Sequence, residues 1–201
     1  MSKATSATVR SNRERTETTR LALLDAARAL FVGKGYGDTS TPEIAVAAGI
    51  TRGALYHHFV DKRDLFRQVL QRESQAVAAD IEAAAPEQLS PREALLEGSK
   101  AYLNAMTAPG RTRLLLIDGP AVLGMEEIMA LDDTTSAASL RQGLERAGVG
   151  KDEASLDALT PLLSAAFDRA ALAIDAGADA EETRAAMMWL LERALGAPRK
   201  R

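Results

Sequence analysis

Residues 39–62 read TSTPEIAVAAGITRGALYHHFVDK, and this stretch decides the fold. Thr41 offers a hydroxyl to cap a helix, and Pro42 fits the first helical position, where no backbone donor is missed. Gly49 permits the left-handed residue that ends it, so a helix is predicted over 42–48. Gly49 and Ile50 alone separate it from Thr51, a second capping hydroxyl, and so short a joint makes two helices cross steeply. Ile44, Ala45, Ala48, Ile50, Leu55 and Phe59 are the residues that would fill the crossing.

The packing leaves a surface. With Leu55 and Phe59, four apart, turned inward, Arg52, Gly53, Ala54, Tyr56 and His57 line the outer face and first turn of the second helix. A helix-turn-helix presents that surface to the DNA major groove. Asp61, with Asp64 three residues on, caps a further helix and places Lys62 in its first turn, where a cation opposes the helix dipole and suits a phosphate.

From Arg20 to Leu65 the chain resembles the N-terminal domain of the tetracycline-repressor (TetR) family of bacterial transcription regulators. The resemblance is carried by LLDAARALF, then GKGYGDTSTPEIAVAAGITRGALYHHF, then DKRDLF, in order and at the family's spacing. It covers about the first third of the chain. It implies that Thr41, Thr51, Arg52, Gly53, Ala54, Tyr56, His57 and Lys62 lie at or near DNA, with small residues at Gly53 and Ala54 allowing close approach. Of the two histidines it points to His57 rather than His58. Arg52 either reads a guanine edge, which its fork matches, or contacts phosphate alone.

Charge divides along the chain. The 201 residues carry net −3, yet residues 1–67 hold 11 Lys+Arg against 7 Asp+Glu, net +4, and residues 68–201 hold 14 against 21, net −7. The first part can approach phosphate and the second repels it. There is no cysteine, and the two histidines are adjacent, so neither disulfides nor a helical metal site is expected. No apolar run of about 18 residues and no secretory signal occurs, which makes a cytoplasmic, nucleoid-associated protein without a membrane span the expectation.

Periodicity predicts an all-α chain with no strand. Residues 1–16 are read as a disordered basic arm, either a solvated tail or a segment that orders on DNA. Residues 17–67 form the DNA-binding domain, with its helix-turn-helix at about 40–59, and residues 68–201 form a larger ligand-binding and dimerisation domain. A helix is expected over 17–34, and a long one from Lys62 to about residue 85. Ser90 and Glu93 frame a capping box before a helix to about Thr107. Short helices are expected over 111–117 and 121–131, broken by Asp118-Gly119-Pro120. Helices follow over 134–147, about 152–176 with a kink or restart at Pro161, and 179–195, the last ahead of the basic tail APRKR.

No catalytic constellation and no cofactor motif is present. GKGYG lacks the lysine and hydroxyl of a phosphate loop. Apolar helices that form a pocket and those that form a solid core read alike; the reading adopted is a mostly apolar pocket lined by Tyr102, Met106, Leu115, Asp118, Val122, Met125, Met129 and Phe167. The last two helices are apolar over more than one chain can cover, so Leu172, Trp189 and Leu191 are expected at a homodimer seam. The function expected is a repressor that leaves a palindromic operator when a small apolar or amphipathic effector binds. The alternative is a helical sensor or interaction module that no longer binds DNA.

Overall fold

The computed structural model describes residues 4–149 and 155–196, the side chains of residues 4–12 excepted. Its regular elements are all helical: α1 (Ala4–Lys34), α2 (Thr41–Ala47), α3 (Arg52–His58), α4 (Lys62–Ala84), α5 (Pro91–Met106), α6 (Arg111–Arg113), a π-helical turn (Leu114–Asp118), α7 (Gly119–Leu123), α8 (Met125–Asp132), α9 (Ser136–Arg146), α10 (Leu156–Asp175) and α11 (Ala180–Ala194). The described residues include no strand. The chain divides into two compact units, with the boundary between Leu70 and Gln71.

In the first unit, Leu23, Leu24, Ala27 and Phe31 of α1 recur at helical spacing and are fully or almost fully buried, as are Ile44, Leu55, Phe59, Leu65 and Phe66. Phe31 and Phe66 meet edge to face at 5.1 Å between ring centres, and Tyr36 joins them at 5.7 and 5.0 Å. Tyr36 therefore packs at the junction after α1. Where a disordered arm and a helix from residue 17 were expected, α1 is helical from Ala4. Residues 4–32 contain neither glycine nor proline, so nothing before Gly33 interrupts the helix, and the polar residues there cost little helix propensity.

The second unit is a bundle in which α5 packs on α9, α10 and α11, around Leu95, Leu103, Leu144, Leu163, Phe167, Met187 and Leu191. Ser90 and Glu93 make the expected capping box, and Asp179 caps α11 through the amide of Glu182 at 2.8 Å. The break at residues 118–120 does not open the chain. The amide of Gly119 bonds the carbonyl of Leu114, five residues back, and this widened turn takes Pro120 into a helical path from Arg111 to Leu123. The interruption comes at Gly124, whose φ of +88° suits glycine and separates α7 from α8. Proline 161 lies inside α10, which runs through it, with the Thr160 hydroxyl donating to the carbonyl of Leu156 at 2.8 Å. The tail at 197–201 lies outside the described residues. No helix among the described residues is long and apolar enough to cross a membrane.

Candidate nucleic-acid interface and a cavity

The first unit builds its polar surface from local capping. Ser40, not Thr41, is the N-cap of α2: its hydroxyl accepts from the amide of Glu43, and the Glu43 carboxylate accepts from the amide of Ser40 at 3.0 Å. A hydrogen bond from Lys34 at 2.5 Å, with those from Ser40, holds the exposed Glu43 down at about 2. With the cap one residue earlier, the Thr41 hydroxyl is free to meet the Tyr56 hydroxyl at 2.9 Å. That bond joins α2 to α3 on the outer side. It is also the largest of the causes that hold the Tyr56 phenol below its ordinary range, ahead of Arg52.

Gly49, at φ +68°, makes the turn, and Thr51 caps α3 through the amide of Ala54 at 3.2 Å. Arg52, Gly53, Tyr56 and His57 are exposed and Ala54 is half-buried. The Arg52 guanidinium lies 5.6 Å from the centre of the Tyr56 ring, so the two outward side chains steady each other. Gly53 is informative in a different way. A Cβ added there would meet nothing within 4 Å, and its φ is not positive, so nothing in the chain itself requires glycine.

Lys62 is placed differently from a free phosphate ligand. Its ammonium donates to the carbonyls of Tyr36 and Thr39, both at 2.9 Å, and lies 4.2 Å from the centre of the Tyr36 ring. Two of its three protons are thereby spent on the α1–α2 loop, and one is left over. Sequence reasoning missed this because the acceptors are main-chain atoms 23 and 26 residues away. Asp61 does cap α4, through the amide of Asp64 at 2.7 Å.

The second unit contains a cavity of about 730 Å³ bounded by the end of α4, α5, α9 and α10. Ala94, Gly98, Ser99 and Tyr102 share one face of α5, while Ser136, Ser139 and Gly143 share one face of α9, so small side chains open the space. The helices are held close around it: a Cβ on Gly98 would lie 3.2 Å from Ile81 Cγ2, and one on Gly143 would lie 2.7 Å from Leu95 Cδ1. Phe167 closes one side, meeting Tyr102 edge to face at 5.8 Å.

Of the residues expected to line a pocket, Tyr102 and Phe167 border this cavity. Met106 borders a smaller recess of about 240 Å³ instead. The other five do not border the cavity. Leu115 is buried in the core, Val122 is half-buried, and Met125 and Met129 are 61 % and 55 % exposed on α8. Asp118 sits in the π-helical turn, 3.3 Å from Arg113. The reason is the π-helical turn: it keeps the segment continuous where a gap was expected. The signal that marks the actual cavity, small residues at helical spacing on α5 and α9, is present in the sequence but resembles ordinary tight packing.

Two further features were not anticipated. Arg111 donates to Glu73 at 2.9 Å and to the carbonyl of Ala105 at 2.7 Å, tying the start of α6 to α4 through a buried ion pair and to the end of α5. On α10 and α11 the residues chosen for a seam separate. Leu191 is 0 % exposed within its own chain and Leu172 is half-buried, whereas Trp189 is 58 % exposed beside exposed Leu190, and Leu162 of α10 is 69 % exposed. The one-residue step from Leu190 to Leu191 turns a helical side chain by about 100°, enough to exchange core for surface.

A pair of short helices joined by a glycine turn, the second offering polar and small residues outward, followed in sequence by a helical unit with a cavity, is the plan of a helix-turn-helix regulator. The family profiles agree over most of the chain. Residues 23–69 match that of bacterial regulatory proteins of the tetR family, and residues 92–197 match that of the tetracyclin repressor-like C-terminal domain. The chain belongs to the TetR family. A TetR-family transcriptional regulator from Pectobacterium atrosepticum is 31 % identical, with 93 % of this chain and 99 % of that one aligned at a TM-score of 0.68. The regulator AcrR of Shigella flexneri is 38 % identical over 108 residues, 53 % of this chain and 50 % of its own length. The chain thus spans only half of that curated relative. Mycobacterium smegmatis LfrR, solved in complex with proflavine, shares the fold at 22 % identity and a TM-score of 0.63, over 90 % of this chain and 98 % of its own.

Proposed function

We propose that the chain is a sequence-specific DNA-binding transcription regulator of the cytoplasm, a repressor released from its operator by a small ligand. The observation that carries the DNA half is Gly53: an exposed first-turn glycine that its own chain does not need, flanked by Arg52 and Tyr56, fits a helix that must lie against something outside the protein. Thr41, Thr51, Arg52, Gly53, Ala54, Tyr56 and His57 are assigned to that contact. Lys62 supports it by holding the loop before α2, and its remaining proton can reach a phosphate.

The ligand half is supported by the cavity, whose volume falls within the roughly 300–1,000 Å³ usual for small-molecule sites. Tyr102 and Phe167 are retained as ligand contacts. The exposed Leu162, Trp189 and Leu190 support a homodimer formed through α10 and α11, with Trp189 kept from the expected set and Leu191 removed from it. Selection of duplexes from a random pool tests the reading. Recovery of a palindrome, with half-sites repeating at about one or two helical turns, is the outcome expected of a two-fold dimer. Enrichment of no sequence would reject it.

A further inference from the structure

The cavity has a wall whose polarity is set from behind. Tyr102 and Ser164 face it, and each hydroxyl has one proton to give. Tyr102 donates to Asp168 Oδ1 at 2.5 Å, and Ser164 donates to Asp132 Oδ2 at 3.2 Å. Toward the cavity both oxygens are left with lone pairs alone. They accept a hydrogen bond from a ligand and have none to donate.

The two carboxylates lack a neutralising partner among the described residues: no lysine, arginine or histidine pairs with either. Burial, the largest cause, raises both, Asp168 to about 6. At neutral pH Asp168 is still ionised, so a negative charge stands behind the aromatic pair of Tyr102 and Phe167.

The one basic residue lining the cavity does not reverse this. Arg146 lies ten residues along α9 from Ser136, about 15 Å at the helical rise, while Asp132 bonds the amide of Ala137 near the start of that helix. The remaining charged lining residues, Glu82 and Glu87, are acidic. We infer that the cavity takes an amphipathic ligand with an apolar ring-bearing body and a protonated amine head, and discriminates against the carboxylate of the same shape. The inference rests on the reading of this cavity as the effector site.

Three probes of one shape separate the possibilities: 9-anthracenylmethylamine, 9-anthracenemethanol and anthracene-9-carboxylate, titrated calorimetrically into the full chain at pH 7.5. The amine is expected to bind more tightly than the carboxylate by about tenfold or more, with the alcohol between them. Asp168→Asn should bring the amine-to-carboxylate ratio toward one while leaving the alcohol little changed. Asp132→Asn, whose carboxylate is held by a different hydroxyl, provides the same readout should the first variant fold poorly. A carboxylate that binds as well as the amine, a ratio unmoved in both variants, or an amine that does not bind overturns the inference. Gel-shift binding of the same preparation to DNA reports separately on the regulator reading, since calorimetry with these probes requires no operator.

Discussion

Lys62 illustrates how a residue assigned to DNA can serve the fold first. Its ammonium bonds two main-chain carbonyls of the loop that leads into α2, and hydrogen bonds from a charged group contribute about 1.5–3 kcal/mol each where they are shielded. Lys62→Met is therefore expected to lower the unfolding free energy in urea by about 1–3 kcal/mol, as well as weakening DNA binding. Unchanged stability with lost binding would place its role at phosphate alone. Asp168 gives the pH-dependent counterpart. Its ordinary value is 3.8 and its folded value about 6, so the folded chain holds this proton more tightly than the unfolded one. The contribution from Asp168 is complete below about 3.8 and is lost as pH rises through about 6. Asp168→Asn should accordingly be more stable than the parent at pH 7.5, by about 1–3 kcal/mol, and gain little at pH 3.5. Equal gains at both pH values would show that charge is not the cause.

At the scale of elements, α3 separates folding from function. Because a side chain at Gly53 meets nothing within 4 Å, Gly53→Leu should leave stability unchanged or raise it by up to about 1 kcal/mol, glycine being the poorer helix former. The same substitution should lower operator affinity at least about tenfold, or 1.4 kcal/mol, by blocking the approach of α3. A variant that binds DNA normally would remove α3 from the interface. The legibility of the elements follows from the range of the interactions that make them. Thr51 and Gly49 read correctly because caps and left-handed turns are settled within three or four residues. The slip from Ser40 to Thr41 arose because adjacent hydroxyls both satisfy a cap, and the Glu43 side chain decides between them. The π-helical turn at residues 114–118 follows no pattern of side-chain type, so Asp118-Gly119-Pro120 read as a break. The lining expected beside it differs from that of the cavity between α5, α9 and α10, since a cavity depends on which faces meet across helices far apart in sequence.

For the molecule as a whole, two quantities bear on function: the opposed charges of its N-terminal and C-terminal parts, and the apolar surface left on α10 and α11. Leu162, Trp189 and Leu190 leave large apolar side chains in water, and covering them with a second copy is the proposed remedy. Trp189→Glu with Leu190→Glu is expected to shift sedimentation toward the 21.4 kDa monomer. Operator affinity should fall as well, because the half-sites would then be bound one at a time. A parent chain that sediments as a monomer at micromolar concentration would contradict the dimer. The positive balance of residues 1–67 makes a sharper demand. Binding through Arg52 and its neighbours must release counterions from the DNA, so affinity must depend on salt. The most direct measurement is a titration of the selected palindrome by fluorescence anisotropy, for the parent chain and Arg52→Ala, at several salt concentrations. The account predicts that log affinity falls linearly with log salt for the parent, and that Arg52→Ala either flattens that slope by about one, if Arg52 contacts phosphate, or narrows the gap between palindrome and scrambled duplex, if it reads a guanine edge. Affinity that does not change with salt, or that is equal for the palindrome and a scrambled duplex at every concentration, would contradict it.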